Sequence, residues 1–307
     1  MPNSAPPWKT LAWNGVSLDV PPDWDPVELE AHSLRATGTG GLFLELKWER
    51  GTRGFDARKR LDKVGGEIAA GATHAEVPLQ ITAAAEVLEN TKIETKTFAW
   101  TASGKQQAAG LILHCPQAHT AALAQVVFPE SMPPSWGAAA RLLAGIRFHG
   151  TDGHVPWAAY GIKALVPGEL RLSSYSFHPG HFRLRFAGRS RRGATELILD
   201  RLGPADVLLG NTALHTYTDK LYGGCGAEPG FFVPGPGPSA ASGQAQPRPG
   251  LLARLKRNGA YRALKGKAWL PGDNKILAVY MRGRSPDTLD CFDSICEAYA
   301  LDNQETN

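Results

Sequence analysis

Trp13-Asn14-Gly15-Val16-Ser17-Leu18-Asp19-Val20-Pro21 is answered later in the chain by Tyr160-Gly161-Ile162-Lys163-Ala164-Leu165-Val166-Pro167. In both stretches a glycine stands six residues before a proline, with apolar residues between. Two further pairs keep the same order. Leu61-Asp62-Lys63-Val64-Gly65 is matched by Leu199-Asp200-Arg201-Leu202-Gly203. Pro116 with Ala121-Ala122-Leu123-Ala124 is matched by Pro271 with Lys275-Ile276-Leu277-Ala278. Segments that recur in one order predict two related domains in tandem. The boundary falls near His149-Gly150-Thr151-Asp152-Gly153-His154, giving domains 1–150 and 151–307.

Working outward, each half reads as strands, a helix, a three-strand run and a closing helix, an α+β pattern. Leu42, Leu44, Leu46 and Trp48 alternate with Glu45, Lys47 and Glu49, as a half-buried strand does. Phe182, Leu184 and Phe186 alternate with Arg183 and Arg185 in the second half. Phe55 to about Ala70 predicts a helix, and Thr195 to Leu202 a short one that carries the second Leu-Asp-Arg-Leu-Gly. Lys92–Trp100 and Gly110–His114 flank a turn at Ala102-Ser103-Gly104-Lys105. Tyr261–Leu270 and Lys275–Met281 flank another at Pro271-Gly272-Asp273-Asn274. Ser135 opens a helix expected to run to Ile146. Ser285-Pro286-Asp287 opens the last one, whose buried face is Leu289, Phe292, Ile295, Cys296 and Tyr299. Residues 233–250, rich in Pro, Gly and Ser, read as a flexible insertion in the second domain.

A strand with Gly15, Val16 and Leu18 that leads to Pro21 and Trp24, repeated as Gly161, Ile162 and Pro167, resembles the PsbP-like superfamily. The second copy departs from it at Leu170, where the first has its tryptophan. The resemblance implies two tandem α/β/α sandwich domains, each a twisted antiparallel sheet with flanking helices. It also implies binding more than catalysis, since a photosystem subunit, a Ran-binding import factor and bacterial surface proteins share the fold. A shared fold does not carry a function with it.

A chain of 307 residues, 43% apolar and 20% charged, suits two soluble globular domains. No run approaches the roughly 18 apolar residues of a membrane span, so no membrane partner is expected. Met1 to Trp8 shows neither the basic nor the apolar region of a secretory signal, which points to the cytoplasm. Cys115, Cys225, Cys291 and Cys296 form no metal-binding pair spacing and read as reduced thiols. Residues 1–150 hold 14 basic and 15 acidic side chains, and residues 151–307 hold 19 and 14. That excess is too small for a nucleic-acid footprint, yet it suits an acidic protein surface.

The basic set that would meet such a surface is Arg183, Arg185, Arg189, Arg191 and Arg192, with Arg254, Lys256, Arg257, Arg262, Lys265 and Lys267 on and before the last hairpin. His114, Cys115 and His119 come nearest to a metal site, but neighbouring strand residues face opposite ways. No metal or cofactor is expected. A non-enzymatic binding or scaffold role is the first expectation. The second is a small-ligand site or enzyme in a groove between the domains, with His114, His119, His178 or His181 as its polar groups. Gly38-Thr39-Gly40-Gly41 precedes a strand instead of opening a helix, so it reads as a loop and not a phosphate cradle. Gly223-Gly224-Cys225-Gly226 reads likewise as a backbone turn.

Overall fold

The computed structural model describes residues 8–52, 55–56, 59–60, 62–63, 66, 93–101, 106–149, 153–190, 193–237, 239–246 and 263–302. The chain divides into two compact units. One comprises Met1–Thr151, Val155–Tyr160 and Gln304–Asn307, and the other Asp152–His154 and Gly161–Asn303. Among the described residues the strand pairings are antiparallel and the helices short, which makes the fold α+β.

In the first unit β1 (Lys9–Trp13) and β2 (Val16–Val20) form a hairpin, followed by β3 (Asp25–Glu30), β4 (Ser33–Thr37) and β5 (Phe43–Arg50). Then come β6 (Glu94–Thr101), β7 (Gln107–Cys115), β8 (Thr120–Phe128), helix α1 (Trp136–Ala144), β9 (Arg147–Phe148) and β10 (His154–Ala159). The main sheet has the order β3-β4-β5-β8-β7-β6. Leu44 and Leu46 lie fully buried on one of its faces while Lys47 and Glu49 reach solvent on the other, so the alternation read in the sequence is real. β10 follows β9 in the chain but pairs with β1, Ala12 lying opposite Ala158. Trp157 then packs edge-on against Trp13 at 5.2 Å.

The second unit contains β11 (Ile162–Pro167), β12 (Arg171–His178), β13 (His181–Ser190), β14 (Gly193–Leu202), helices α2 (Ala205–Leu209) and α3 (Leu214–Tyr222), β15 (Val233–Pro234) and β16 (Ala240–Ala245). β17 (Ala263–Gly272), β18 (Lys275–Gly283), α4 (Phe292–Ala298) and β19 (Ala300–Leu301) complete it. Its main sheet runs β12-β13-β14-β18-β17-β16-β15. α3 covers one face, where Tyr222 stacks on Tyr280 at 4.7 Å. The other face meets the segment around α4, where Tyr299 packs edge-on to Trp269.

The first six strands of that order match the six of the first unit one for one, and the register agrees in detail. β3 carries a bulge between Pro26 and Glu28, and β12 one between Leu172 and Ser174. Counting from these, Arg35 faces Glu45, Glu45 faces Gln125 and Gln125 faces Gly110. In the second unit Arg185 faces Ile198, Ile198 faces Tyr280 and Tyr280 faces Gly266. Gly110 and Gly266 thus occupy one lattice position. A Cβ on Gly110 would come within 2.3 Å of the Phe98 ring, and one on Gly266 within 2.5 Å of the Phe232 ring. Asn14-Gly15 and Tyr160-Gly161 both take positive φ (43° and 86°, 52° and 72°), a pair of values that glycine accepts readily at the second position. Each opening strand then meets a closing two-residue strand, Val16 opposite Phe148 and Ile162 opposite Leu301.

Several expectations are corrected. Thr195–Leu202 is not a helix but part of the central strand β14. The Asp62 and Asp200 segments therefore do not correspond, since the described residues among 59–66 are helical. Ala124 faces Leu46 and Val279 faces Leu199, so the alanine-rich echo aligned with Ala278 is one residue out of register, which reverses the faces. Within the expected flexible insertion, 233–234 and 240–245 are strands, because Ala240 to Ala245 pair along β17 and Ala241 is completely buried. Residues 238 and 247–250 of it lie outside the described residues. Neither Ser135 nor Ser285 caps through its side chain, and the last helix begins as a 3-10 turn at Pro286–Leu289. Its expected buried face, from Leu289 to Tyr299, is buried.

Candidate functional site

Antiparallel pairing puts directly opposed residues on one face of a sheet. On the α3 face of the second unit this aligns His181, Arg183, Arg185 and Arg189 of β13 with Asp200 and Glu196 of β14 and Arg282 of β18. From β12, His178, Ser176, Ser174 and Arg171 oppose His181, Arg183, Arg185 and Ala187 on that same face. Five of the residues singled out in the sequence, His178, His181, Arg183, Arg185 and Arg189, therefore share one face.

Asp200 sits at the centre and is fully buried. Arg183 donates to it twice, from Nε at 2.7 Å and Nη2 at 3.0 Å, and the Tyr222 hydroxyl donates at 2.6 Å. His181 Nε2 lies 2.7 Å from Oδ1. Burial alone raises a carboxyl's pKa. Here the hydrogen bonds from His181, Arg183 and Tyr222 outweigh it and hold Asp200 below the ordinary carboxylate value. The same contact raises Arg183 against the desolvation that opposes its charge. Burial, followed by the neighbouring carboxylate, pushes Tyr222 well up. Two rows further along, Glu196 accepts from Arg282 Nε at 2.6 Å and lies 3.7 Å from Arg185. Arg282 also donates to the Cys225 carbonyl at 2.8 Å.

A carboxylate offers about four lone-pair sites, and Asp200 uses them all within the protein. It therefore cannot also serve as a base toward a substrate. Arg183 and Arg185 do not both reach outward as expected: Arg183 is bound to Asp200, while Arg185, about a third exposed at 35%, lies 3.7 Å from Glu196. Arg189 is exposed, as is Arg171 on the same face. Arg191, Arg192, Arg254, Lys256, Arg257 and Arg262 lie outside the described residues. Lys265 and Lys267 point to the opposite face, where Lys265 pairs with Asp293.

The other histidine candidates belong to the first unit. His114 is buried on β7 and stacks on Phe55 at 4.9 Å. Cys115 points the other way, its Sγ 3.5 Å from Gln117, and His119 holds the exposed turn with φ 47°. Among the described residues no group of three His, Cys, Asp or Glu is placed to hold a metal. The first unit also has a hollow of about 660 Å³, lined by Lys47, Phe55, Lys59, Arg60 and Lys63 over a floor of small residues, Ala121 and Ala122. Nothing in the sequence pattern marks it. Asp200 and Tyr222 were missed too, though an aspartate alone in Leu197-Ile198-Leu199-Asp200 signals a buried charge in need of a partner.

No protein-family model matches the chain, and no curated protein matches it. Among solved structures, the Saccharomyces cerevisiae Ran-binding protein Mog1p is similar over 47% of this chain and 96% of its own, at 8% identity and a TM-score of 0.33. The T6SS immunity protein TplEi of Pseudomonas aeruginosa, solved with a peptide, is similar over 97% of this chain and 99% of its own, at 10% identity and a TM-score of 0.33. A Bacteroides thetaiotaomicron protein is similar over 51% and 52%, at 11% identity and a TM-score of 0.32. These likenesses are coarse and assign no role to any residue here.

Proposed function

We propose that this is a non-enzymatic binding protein made of two copies of one PsbP-like α/β/α domain, residues 1–150 and 151–307, which docks an acidic protein surface on the second copy. The shared strand order, the two bulges, and the glycine pair Gly110 and Gly266 support the duplication. The docking reading rests chiefly on one observation: the α3 face of β12, β13, β14 and β18 carries five arginines against two carboxylates. Asp200 and Glu196 neutralise the inner ones, while Arg171 and Arg189 remain at the rim. Rim charges of this kind steer a partner of opposite sign more than they hold it. Free thiols at Cys115, Cys225, Cys291 and Cys296 suit a reducing compartment, and we place the protein in the cytoplasm.

The test is binding of a purified acidic protein or acidic peptide to the intact chain. Raising salt from about 0.05 to 0.5 M and introducing Arg171→Glu with Arg189→Glu should each weaken binding severalfold, because exposed charges are screened beyond a Debye length of about 10 Å at 0.1 M. Binding that ignores both changes would refute the docking face. A second reading makes His181, held by Asp200, a proton-transfer group. Its support is the 2.7 Å contact, and its test is whether His181→Gln abolishes an activity that the wild-type chain displays.

A further inference from the structure

We propose that the second unit binds a primary alkylammonium group in a hollow of about 390 Å³ at one end of its main sheet, on the face opposite the docking face. β13, β14 and β18 supply its floor. Gly188 lies opposite Thr195, Thr195 opposite Gly283, and Leu197 opposite Met281. Alternate residues of a strand face opposite ways, so Thr195 and Met281 share the face on which the hollow lies, and both line it. Leu170 and Cys291 form its walls, and Glu169 stands at its mouth. Arg189 borders it, but register sends the Arg189 side chain to the α3 face. The site is therefore independent of the acidic-partner reading.

The room exists because small residues stand where the first unit has large ones. One residue before β3, Trp24 covers Gly38, and a Cβ on Gly38 would come within 2.1 Å of the indole Nε1. Phe128 faces Gln107 in the same sheet. At the same lattice positions of the second unit, Leu170 covers Gly188 and Gly283 faces Ala263, with Thr288 taking part of the space over Gly283. What is left open exposes one polar group. Thr195 is 7% exposed, and its hydroxyl has no hydrogen bond among the described residues. Nearly all buried polar groups have a partner, and an unmade bond costs stability, so this hydroxyl marks where a ligand can supply one. Charge decides what kind. Glu169, Asp287 and Asp290 put three carboxylates around the opening. Their field reaches inside, since burial and then the Glu169 carboxylate push the Cys291 thiol up. Among the described residues no three ligands converge as a metal requires, which leaves an organic cation. Its N–H groups donate to Glu169 and Thr195, while Asp287 and Asp290 act through their charge, whatever else they bind. Its methylene stem lies along Leu170 and Cys291, as lysine stems lie on apolar surface. A free amine and a lysine of another protein share this chemistry.

A ligand-observed NMR titration of n-pentylammonium into the intact chain tests the site. Binding in the millimolar range is expected, with n-pentanol, the same stem without the charge, about tenfold weaker. Glu169→Gln and Thr195→Val should each weaken binding about threefold or more. Leu170→Trp, which puts the first unit's ring into the hollow, should abolish it; circular dichroism checks that the variants fold. Nα-acetyl-lysine amide separates the two sources. If it binds within a few fold of pentylammonium, the site takes a lysine of a partner protein; if pentylammonium alone binds, it takes a free amine. Absence of pentylammonium binding, equal binding of pentanol, or wild-type binding by both Glu169→Gln and Thr195→Val would overturn the ammonium site and leave the docking face on the other side of the sheet untouched.

Discussion

Asp200 shows how one residue can decide a local structure without announcing itself. It is a charge with no water around it, and its stability is borrowed from Arg183, His181 and Tyr222. Removing one member of a buried pair leaves the other uncompensated, so Asp200→Asn should destabilise the second unit by about 3–5 kcal/mol in urea unfolding at pH 7. The pH dependence follows from the direction of the shift. The folded pKa lies below the unfolded value of about 3.9, so the contribution is complete above that value and is lost as pH falls through the folded one. Wild type should therefore lose stability more steeply than Asp200→Asn between about pH 5 and 2; parallel curves would show that Asp200 contributes nothing there. Cys296 gives a second residue-scale expectation. Burial pushes its thiol up to about 12, so at pH 8 a maleimide should label it slowly in the folded protein and rapidly in urea, read by mass spectrometry.

At the scale of elements, legibility depended on whether the deciding partner was near in sequence. The strand from Leu44 to Trp48 and the hairpin around Pro271-Gly272-Asp273-Asn274 could be read because alternation and turn chemistry are local signals. β14 could not. Glu196, Leu197 and Leu199 favour a helix in isolation, but a central strand covered on both faces loses its alternation and takes its conformation from its neighbours. Asp200 was hidden for the same reason, since Arg183 and Tyr222 reach it across the sheet and from a helix. The row of His178, His181, Arg183, Arg185 and Arg189 was legible as a set of residues. That its inner members are spent on ion pairs was not, because strand register is a tertiary fact. The register itself can be tested at its two glycines. Gly266→Ala and Gly110→Ala should each cost about 1–3 kcal/mol in urea unfolding, the usual penalty of overpacking, because Phe232 and Phe98 lie on those positions. An alanine tolerated at either would mean that the ring does not rest there.

At the scale of the whole molecule, the two halves of the sequence are not quite the two units of the structure. A duplication predicts a cut near residue 150, yet β10, which follows that cut, pairs with β1 in the first unit and brings Trp157 against Trp13. Both tryptophans are almost fully buried, at 1% and 3% exposure. Deleting a buried Trp side chain costs about 3–5 kcal/mol, and losing the whole strand removes its ladder as well. A fragment of residues 1–160 should therefore unfold at higher urea than one of residues 1–150, followed by tryptophan fluorescence. Within the full chain Trp157→Ala should lower the stability of the first unit by a comparable amount. Equal midpoints for the two fragments would show that β10 adds nothing to that unit, and the functional boundary would return to residue 150. If the longer fragment is the more stable, residues 155–160 belong to the folding unit of residues 1–151, and a cut at residue 150 takes a strand from its sheet.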